Sequence, residues 1–272
     1  MPSHQASSKE VQALPITHPE NFPVASILCP PHLRPAIAAI YAFARAADDI
    51  ADEGHEEAAQ RLEALQSFRQ ELMHGPTAQG LKPEIFVPLH RVIQDFKLPV
   101  QYLNDLLKAF EQDVLATAQA SQPQTMFELL QYCELSANPV GRLLLHLYGV
   151  KDEAALRQSD AICSALQLIN FWQDLSEDIP RGRFYVPQNL QASMDASQLV
   201  QELCQHARAL MMSGAPLVHQ VPGRAGLELR GVVQGGLRIL EKVEKLGPLA
   251  FQHRPTLKAW DLPVLFWRAL WM

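Results

Sequence analysis

Apolar side chains recur at steps of three and four residues through nearly every segment of this chain, and no stretch alternates apolar with polar positions under β-branched enrichment. That period matches one face of a helix and rejects a pleated strand, so the expected fold class is all-α. Helices are predicted from about Pro31 to Asp52, Glu56 to Met73, Glu84 to Asp95, Gln101 to Ala116, Met126 to Tyr148, Asp152 to Asp178, Ser197 to Met212, Gly226 to Leu246 and Pro263 to Leu270. Breaks fall at Gly75-Pro76, Lys82-Pro83, Leu98-Pro99, Gln122-Pro123, Ile179-Pro180, Val221-Pro222 and Gly247-Pro248, where the missing N–H and fixed φ of proline end a helix. No connection is both long and of low complexity, and no repeat has a fixed period. Residues 18–272 are therefore expected to form one helical domain, with 1–17 a flexible extension.

Composition narrows the function classes. The 23 Lys and Arg against 29 Asp and Glu leave a net charge of −6, the wrong sign for a nucleic-acid groove. With 48% hydrophobic and 19% charged residues, 272 residues can bury a sizeable core, which excludes a disordered scaffold. Cys29, Cys133, Cys163 and Cys204 show no close metal-ligand spacing and read as reduced thiols. The N-terminal stretch lacks the apolar run of a secretory signal, and about 18 consecutive apolar residues occur nowhere, so a cytoplasmic protein without a membrane span is expected. The run LPVLFWRALWM from Leu262 to Met272 is too short to cross a bilayer. It either caps the core or touches the inner membrane as a peripheral contact.

Two acidic clusters carry the chemistry. YAFARAADDIADE at 41–53 sets Asp48 and Asp52 four apart on one helical face, with Arg45 one turn earlier. QLINFWQDLSEDIPRGRFYVP at 167–187 repeats the step with Asp174 and Asp178, with Asn170 one turn before and Glu177 beside them. A carboxylate pair at this spacing repels itself unless a cation lies between, and all-oxygen donors favour a hard divalent ion. Magnesium suits best, since it keeps several waters and completes its shell with phosphate oxygens, so two facing ladders imply a clamp on a diphosphate. Arg45, Arg181 and Arg183 can add contacts to the same anion. One such cluster is ordinarily a solvated helix face. Two of them, each set in an otherwise apolar helix, demand partners.

These motifs resemble those of the squalene and phytoene synthase family. Tyr41, Arg45, Asp48 and Asp52 match its first signature, and Gln167, Asn170, Asp174, Glu177, Asp178, Arg181, Arg183, Tyr185 and Pro187 match its second. The resemblance runs from His18 to about Arg268 and implies a helical isoprenoid-synthase bundle around a central apolar cavity. It further implies Asp48, Asp52, Asn170, Asp174 and Asp178 as magnesium ligands and Tyr41, Arg45 and Gln167 as diphosphate contacts. HPENF, with His18, Asn21 and Phe22, resembles the loop that closes on the substrate. Many relatives have Arg immediately before the first Asp of the second ladder; here it is Gln173, one positive charge fewer in the diphosphate pocket, which speaks against joining two diphosphates. The runs ENFPVAS, YCELSANPVGRLLLHLYG, NFWQDLSEDIPRGRFYVP and VVQGGLRIL are most similar to the branch of squalene and hopanoid biosynthesis that turns presqualene diphosphate and water into hydroxysqualene and diphosphate.

On that expectation, magnesium-assisted ionisation leaves a carbocation against apolar walls from Phe22, Tyr41, Phe43, Leu135, Val140, Leu144, Leu166 and Phe171. Asn138-Pro139, inside an otherwise apolar helix, frees a backbone carbonyl and supplies a polar side chain. The pair either holds the attacking water or marks a kink whose Asn is satisfied by its own backbone. Tyr132 and Tyr185 either orient the leaving group and handle a proton or are structural. No strand-borne glycine fingerprint is present, and no nicotinamide cofactor is expected. Condensation of two prenyl diphosphates is the alternative within the family; a non-catalytic helical interaction protein is the alternative outside it. The expected partner is an isoprenoid diphosphate, with transient membrane contact through Trp260, Phe266, Trp267 and Trp271 and core packing as the competing role.

Overall fold

The computed structural model describes residues 29–54, 56–75 and 82–272, and among them the regular structure is entirely helical. The helices are α1 (Arg34–Asp52), α2 (Ala58–His74), α3 (Pro83–Phe96), α4 (Val100–Gln119), α5 (Met126–Ser136), α6 (Asn138–Leu147), α7 (Glu153–Gln173), α8 (Leu175–Asp178), α9 (Gln188–Ser193), α10 (Ala196–Gly214), α11 (Arg224–Leu246) and α12 (Leu262–Leu270). Two of the expected helices are each divided. The one from Met126 to Tyr148 ends at Ser136, and a new helix begins with Pro139 in its first turn, where the absent N–H costs nothing. The one from Asp152 to Asp178 stops at Gln173; Asp174 leaves the helical region at φ −101° and ψ 10°, and α8 restarts at Leu175. Side-chain caps fix the starts of α5, α7 and α10, where Thr125, Asp152 and Asp195 accept backbone N–H bonds.

Two hydrophobic cores result. The first gathers α5, α7, α10 and α11 around the fully buried Trp172. The second gathers α1 to α4 with Leu143 and Leu147 of α6. Phe43, Phe68 and Phe86 lie at its centre with ring centroids 5.3, 6.0 and 4.6 Å apart. Phe43 has no solvent exposure. It is therefore part of this aromatic cluster and not a cavity wall as the sequence led us to expect. Leu135, Val140 and Leu144 belong to neither core. Thus α1 is anchored in one core and α7 in the other, with α4, α5 and α6 joining them.

The helix crossings are close where glycine permits. A Cβ on Gly214 would stand 2.5 Å from the Gln158 carbonyl oxygen and 2.9 Å from the Ile162 nitrogen, both rigid backbone of α7. A Cβ on Gly231, exposed on α11, would meet nothing within 4 Å. Gly214→Ala is expected to destabilise the protein by about 1–3 kcal/mol through forced separation of α7 and α10. Gly231→Ala is expected to stabilise it by about 0.5–1 kcal/mol through reduced backbone freedom. Urea unfolding of the two variants checks both signs.

Candidate active site

The first ladder is the outward stripe of α1. Ala36, Ala39, Ile40, Phe43, Ala46, Ala47 and Ala51 point into the second core, so Tyr41, Arg45, Asp48 and Asp52 are carried on the remaining face. Asp48, Asp49, Asp52 and Glu53 crowd the carboxyl end, where the helix dipole repels them and no basic residue occupies the last turn. Arg45 answers three of the four, reaching Asp48 at 3.0 Å, Asp49 at 2.7 Å and Glu53 at 3.0 Å. Arg61 of α2 donates to the carbonyls of Ala51 and Gly54 and closes the helix end.

The second ladder starts on α7. Ile162, Ala165, Leu168, Ile169 and Trp172 bury one side of that helix and leave Gln167 and Asn170 half-buried on the other. Asp174 stands at the joint and Asp178 ends α8. A 3-10 turn at Ile179–Arg181 and then Gly182, left-handed at φ 78°, reverse the chain. The reversal lets the Arg183 N–H donate to the Asp178 carbonyl at 3.0 Å, while the Arg183 guanidinium reaches Asp52 at 2.8 Å. That ion pair joins the two ladders directly.

Crowded carboxylates with little water hold their protons more tightly. Burial, then the neighbouring Asp52, pushes Asp48 up to about 7. Burial, then Asp174, pushes Asp178 up to about 6, and Asp52 adds to the shift from across the gap. Asp52 and Asp174 are raised as well, because burial outweighs the opposing Arg183 and Arg254. A further acid faces the same centre from α4. Asp113 is pushed up to about 7 by burial and by repulsion from Asp52 and Asp48, against the hydrogen bond that the Tyr132 hydroxyl donates to it at 2.7 Å. Tyr185 stacks on Phe171 at 3.8 Å, and Tyr132 lies 6.1 Å from each ring. Burial, then Asp113, raises both phenols well above their ordinary range, so each stays a neutral donor. A cavity of about 340 Å³ between α4, α5 and residues 182–185 has Asp113, Tyr132, Arg183 and Tyr185 in its walls.

The structure brings together Asp48, Asp52, Asp174, Asp178, Arg45, Arg183, Tyr132 and Tyr185. Arg181 adds its charge from an exposed position, easing the carboxyls of Asp174 and Asp178. His18, Asn21 and Phe22 lie outside the described residues. Gln173 is corrected: its side chain is 1% exposed and donates to the Pro255 carbonyl at 2.7 Å, so it holds the segment after α11 and does not line the diphosphate pocket. Asn138 is buried and its Oδ1 accepts the Ser164 hydroxyl at 2.8 Å, which ties α6 to α7 in place of satisfying its own backbone. Sequence reasoning missed two members. Arg254 grips Asp174 closely and lies 3.7 Å from Glu177, returning to the second ladder the charge that Gln173 omits. Asp113 could have been noticed as a lone acid among the apolar positions of α4; nothing local marks Arg254.

Among the described residues no three His, Cys, Asp or Glu stand close enough to form a ready-made cation site. The donor set nonetheless fits magnesium. Asp48, Asp52, Asn170, Asp174 and Asp178 offer hard oxygens, and burial raises the proton affinities of the four carboxylates, with repulsion from neighbouring acids adding to it at Asp48, Asp174 and Asp178.

Asp113 gives a signed pH dependence. Unfolded, it would titrate near about 3.9. Between there and about 7 the folded chain keeps a proton that the unfolded chain releases, so stability falls as pH rises through that window. Asp113→Asn is expected to raise the melting temperature at about pH 8 and to leave it nearly unchanged at about pH 4. For a chain of this size the gain is about 2–4 °C per kcal/mol. Thermal melts across that range check the slope.

Residues 17–261 match the family model described as squalene/phytoene synthase. A hydroxysqualene synthase from Rhodopseudomonas palustris is 32% identical over 260 residues, covering 90% of this chain and 86% of that protein. A presqualene diphosphate synthase from the same organism is 28% identical over 200 residues, covering 74% and 70%. The crystal structure of squalene synthase HpnC from Alicyclobacillus acidocaldarius superposes with a TM-score of 0.73 at 32% identity, covering 82% of this chain and 88% of that one. With two acidic ladders facing each other from separate cores of an all-helical fold, and with a match over nearly its whole length, this chain belongs to the squalene/phytoene synthase family.

Proposed function

We propose that this chain is a hydroxysqualene synthase, converting presqualene diphosphate and water into hydroxysqualene and diphosphate. The observation that supports the reading is the Asp52–Arg183 ion pair, which ties the first carboxylate ladder to the segment that follows the second. The names of three relatives at 31–36% identity support the choice of reaction within the family. Asp48, Asp52, Asn170, Asp174 and Asp178 would hold magnesium, which when bound supplies charge neutralisation at the leaving oxygens. Arg45, Arg183 and Arg254 bring permanent cations to the same centre and stabilise the diphosphate as the C–O bond breaks and its electron pair stays on oxygen. The carbocation left behind forms a new C–O bond to water, and the proton that water loses passes to the departing diphosphate. Tyr185, held neutral, orients that anion as a donor, while Tyr132, whose hydroxyl proton goes to Asp113, fixes that acid beside it.

Attack on the cation needs a water held in an otherwise apolar site, and the reading assigns this to Asn138, whose orientation Ser164 fixes. An isoprenoid diphosphate is amphiphilic, so the reading includes transient contact with a membrane surface.

Presqualene diphosphate supplied with magnesium is expected to yield hydroxysqualene whether or not a nicotinamide reductant is present, and farnesyl diphosphate alone no product. Turnover of farnesyl diphosphate would instead assign the condensing reaction. Asp48→Ala and Asp174→Ala are expected to abolish measurable turnover with near-normal circular dichroism, and chelation of magnesium to do the same. Arg254→Ala is expected to lower kcat by about 10²-fold, as loss of one transition-state donor does. Asn138→Ala is expected to shift product from hydroxysqualene towards elimination and rearrangement products; an unchanged ratio removes Asn138 from the reaction. A non-catalytic interaction protein would tolerate all of these changes.

A further inference from the structure

The segment around α12 has its polarity inside out. Its ionic groups face the protein: Asp261 is fully buried against Lys242 at 2.5 Å and Arg238 at 2.8 Å, and Arg268 reaches Glu241 at 2.5 Å, so ion pairs bolt the segment to α11. Its apolar groups face water. Trp260, Phe266, Trp267 and Trp271 are 67%, 68%, 63% and 76% exposed, and no residue of α12 is buried. Three of the chain's four tryptophans stand within this stretch, whereas the fourth, Trp172, is fully buried. An apolar face of this kind is costly in water and marks a binding surface.

Charge and ring chemistry select the occupant. Of the cations in residues 252–272, Arg254 is held by Asp174 and Arg268 by Glu241, which leaves exposed Lys258 as the positive charge beside the aromatic face. Exposed Lys258 lies 5.0 Å over the Trp260 ring, beside the exposed face. Tryptophan beside cations is the composition of interfacial membrane anchors, with rings at headgroup depth and cations on anionic phosphates. No helix among the described residues is long and apolar enough to cross a bilayer, so the contact is one that lies on the surface. We propose that α12 together with Trp260 is a docking face that lays this protein on an anionic lipid bilayer. The surface follows from this segment alone; its purpose, bringing an oily diphosphate to the site that Arg254 helps to build, rests on the proposed reaction.

The test uses the full chain with vesicles of phosphatidylcholine alone or containing roughly a third phosphatidylglycerol. The protein is expected to sediment with the anionic vesicles, to be released by salt, and to show a blue-shifted tryptophan emission that Trp172, already buried, does not supply. W267S/W271S, and independently W260S, are expected to lower the partition about tenfold and threefold with unchanged melting temperature and unchanged turnover of detergent-dispersed substrate. Absence of sedimentation, equal binding to both vesicle types, or full binding by W267S/W271S overturns the proposal. So does a wild-type dimer in light scattering that W267S/W271S dissociates, which would assign the face to a second copy of the chain. Vesicle binding without turnover of presqualene diphosphate strikes the proposed reaction and leaves the docking face standing.

Discussion

The ion pair between Asp52 and Arg183 is the joint on which this site depends. The two carboxylate ladders belong to different hydrophobic cores, and apolar packing alone does not bring like charges together. Arg183 reaches across because Gly182 turns the chain back after α8, so a single left-handed residue decides whether Asp178 and Asp52 feel each other. Arg45 and Arg254 hold the outer ends of the two ladders in the same way. The arrangement is an alternation of acids and arginines rather than a bare acidic pocket, with each arginine answering acids that would otherwise repel one another.

Such a centre is unfavourable by itself. Four acids at the negative end of α1 oppose the helix dipole, and burial with mutual repulsion raises Asp48, Asp113 and Asp178 far above the ordinary carboxylate range. Stability comes from elsewhere: the Phe43–Phe68–Phe86 cluster behind α1 and the Trp172 core behind α7 make each ladder the exposed rim of a rigid body. Placing strained electrostatics on two well-packed supports is the usual division between site and scaffold.

Much of this could be read from the chain. Helical spacing placed Asp48 with Asp52 and Asp174 with Asp178, because a four-residue step is a local property that needs no tertiary knowledge. The interruption at Asp174 was hidden, since Gln173, Asp174 and Leu175 carry no glycine or proline to announce it. Asp113 and Arg254 were invisible for another reason. Each acts through a partner distant in sequence, Tyr132 and Asp174 respectively, and periodicity within a helix carries no information about which face meets which. Gln173 was misread because its neighbours in sequence point at the site; the break after it turns its side chain to Pro255 instead.

That misreading changes an argument about chemistry. A glutamine in place of arginine at position 173 counts as a missing charge only if the ladder has no other source. Arg254 supplies one from a loop, and Gln173 holds that loop through Pro255, so the residue that lacks the charge secures the residue that carries it. The positive charge at the second ladder therefore does not separate a reaction that joins two diphosphates from one that ionises a single diphosphate. What separates the two outcomes is the group that meets the carbocation, and that depends on walls rather than on the acidic rim. Of the uncharged polar residues buried among the described ones, Asn138 and Ser164 are bonded to each other where α6 crosses α7. The bond ties α6 to α7 in either case, and the proposed reaction gives the same pair the further task of holding the water that ends it.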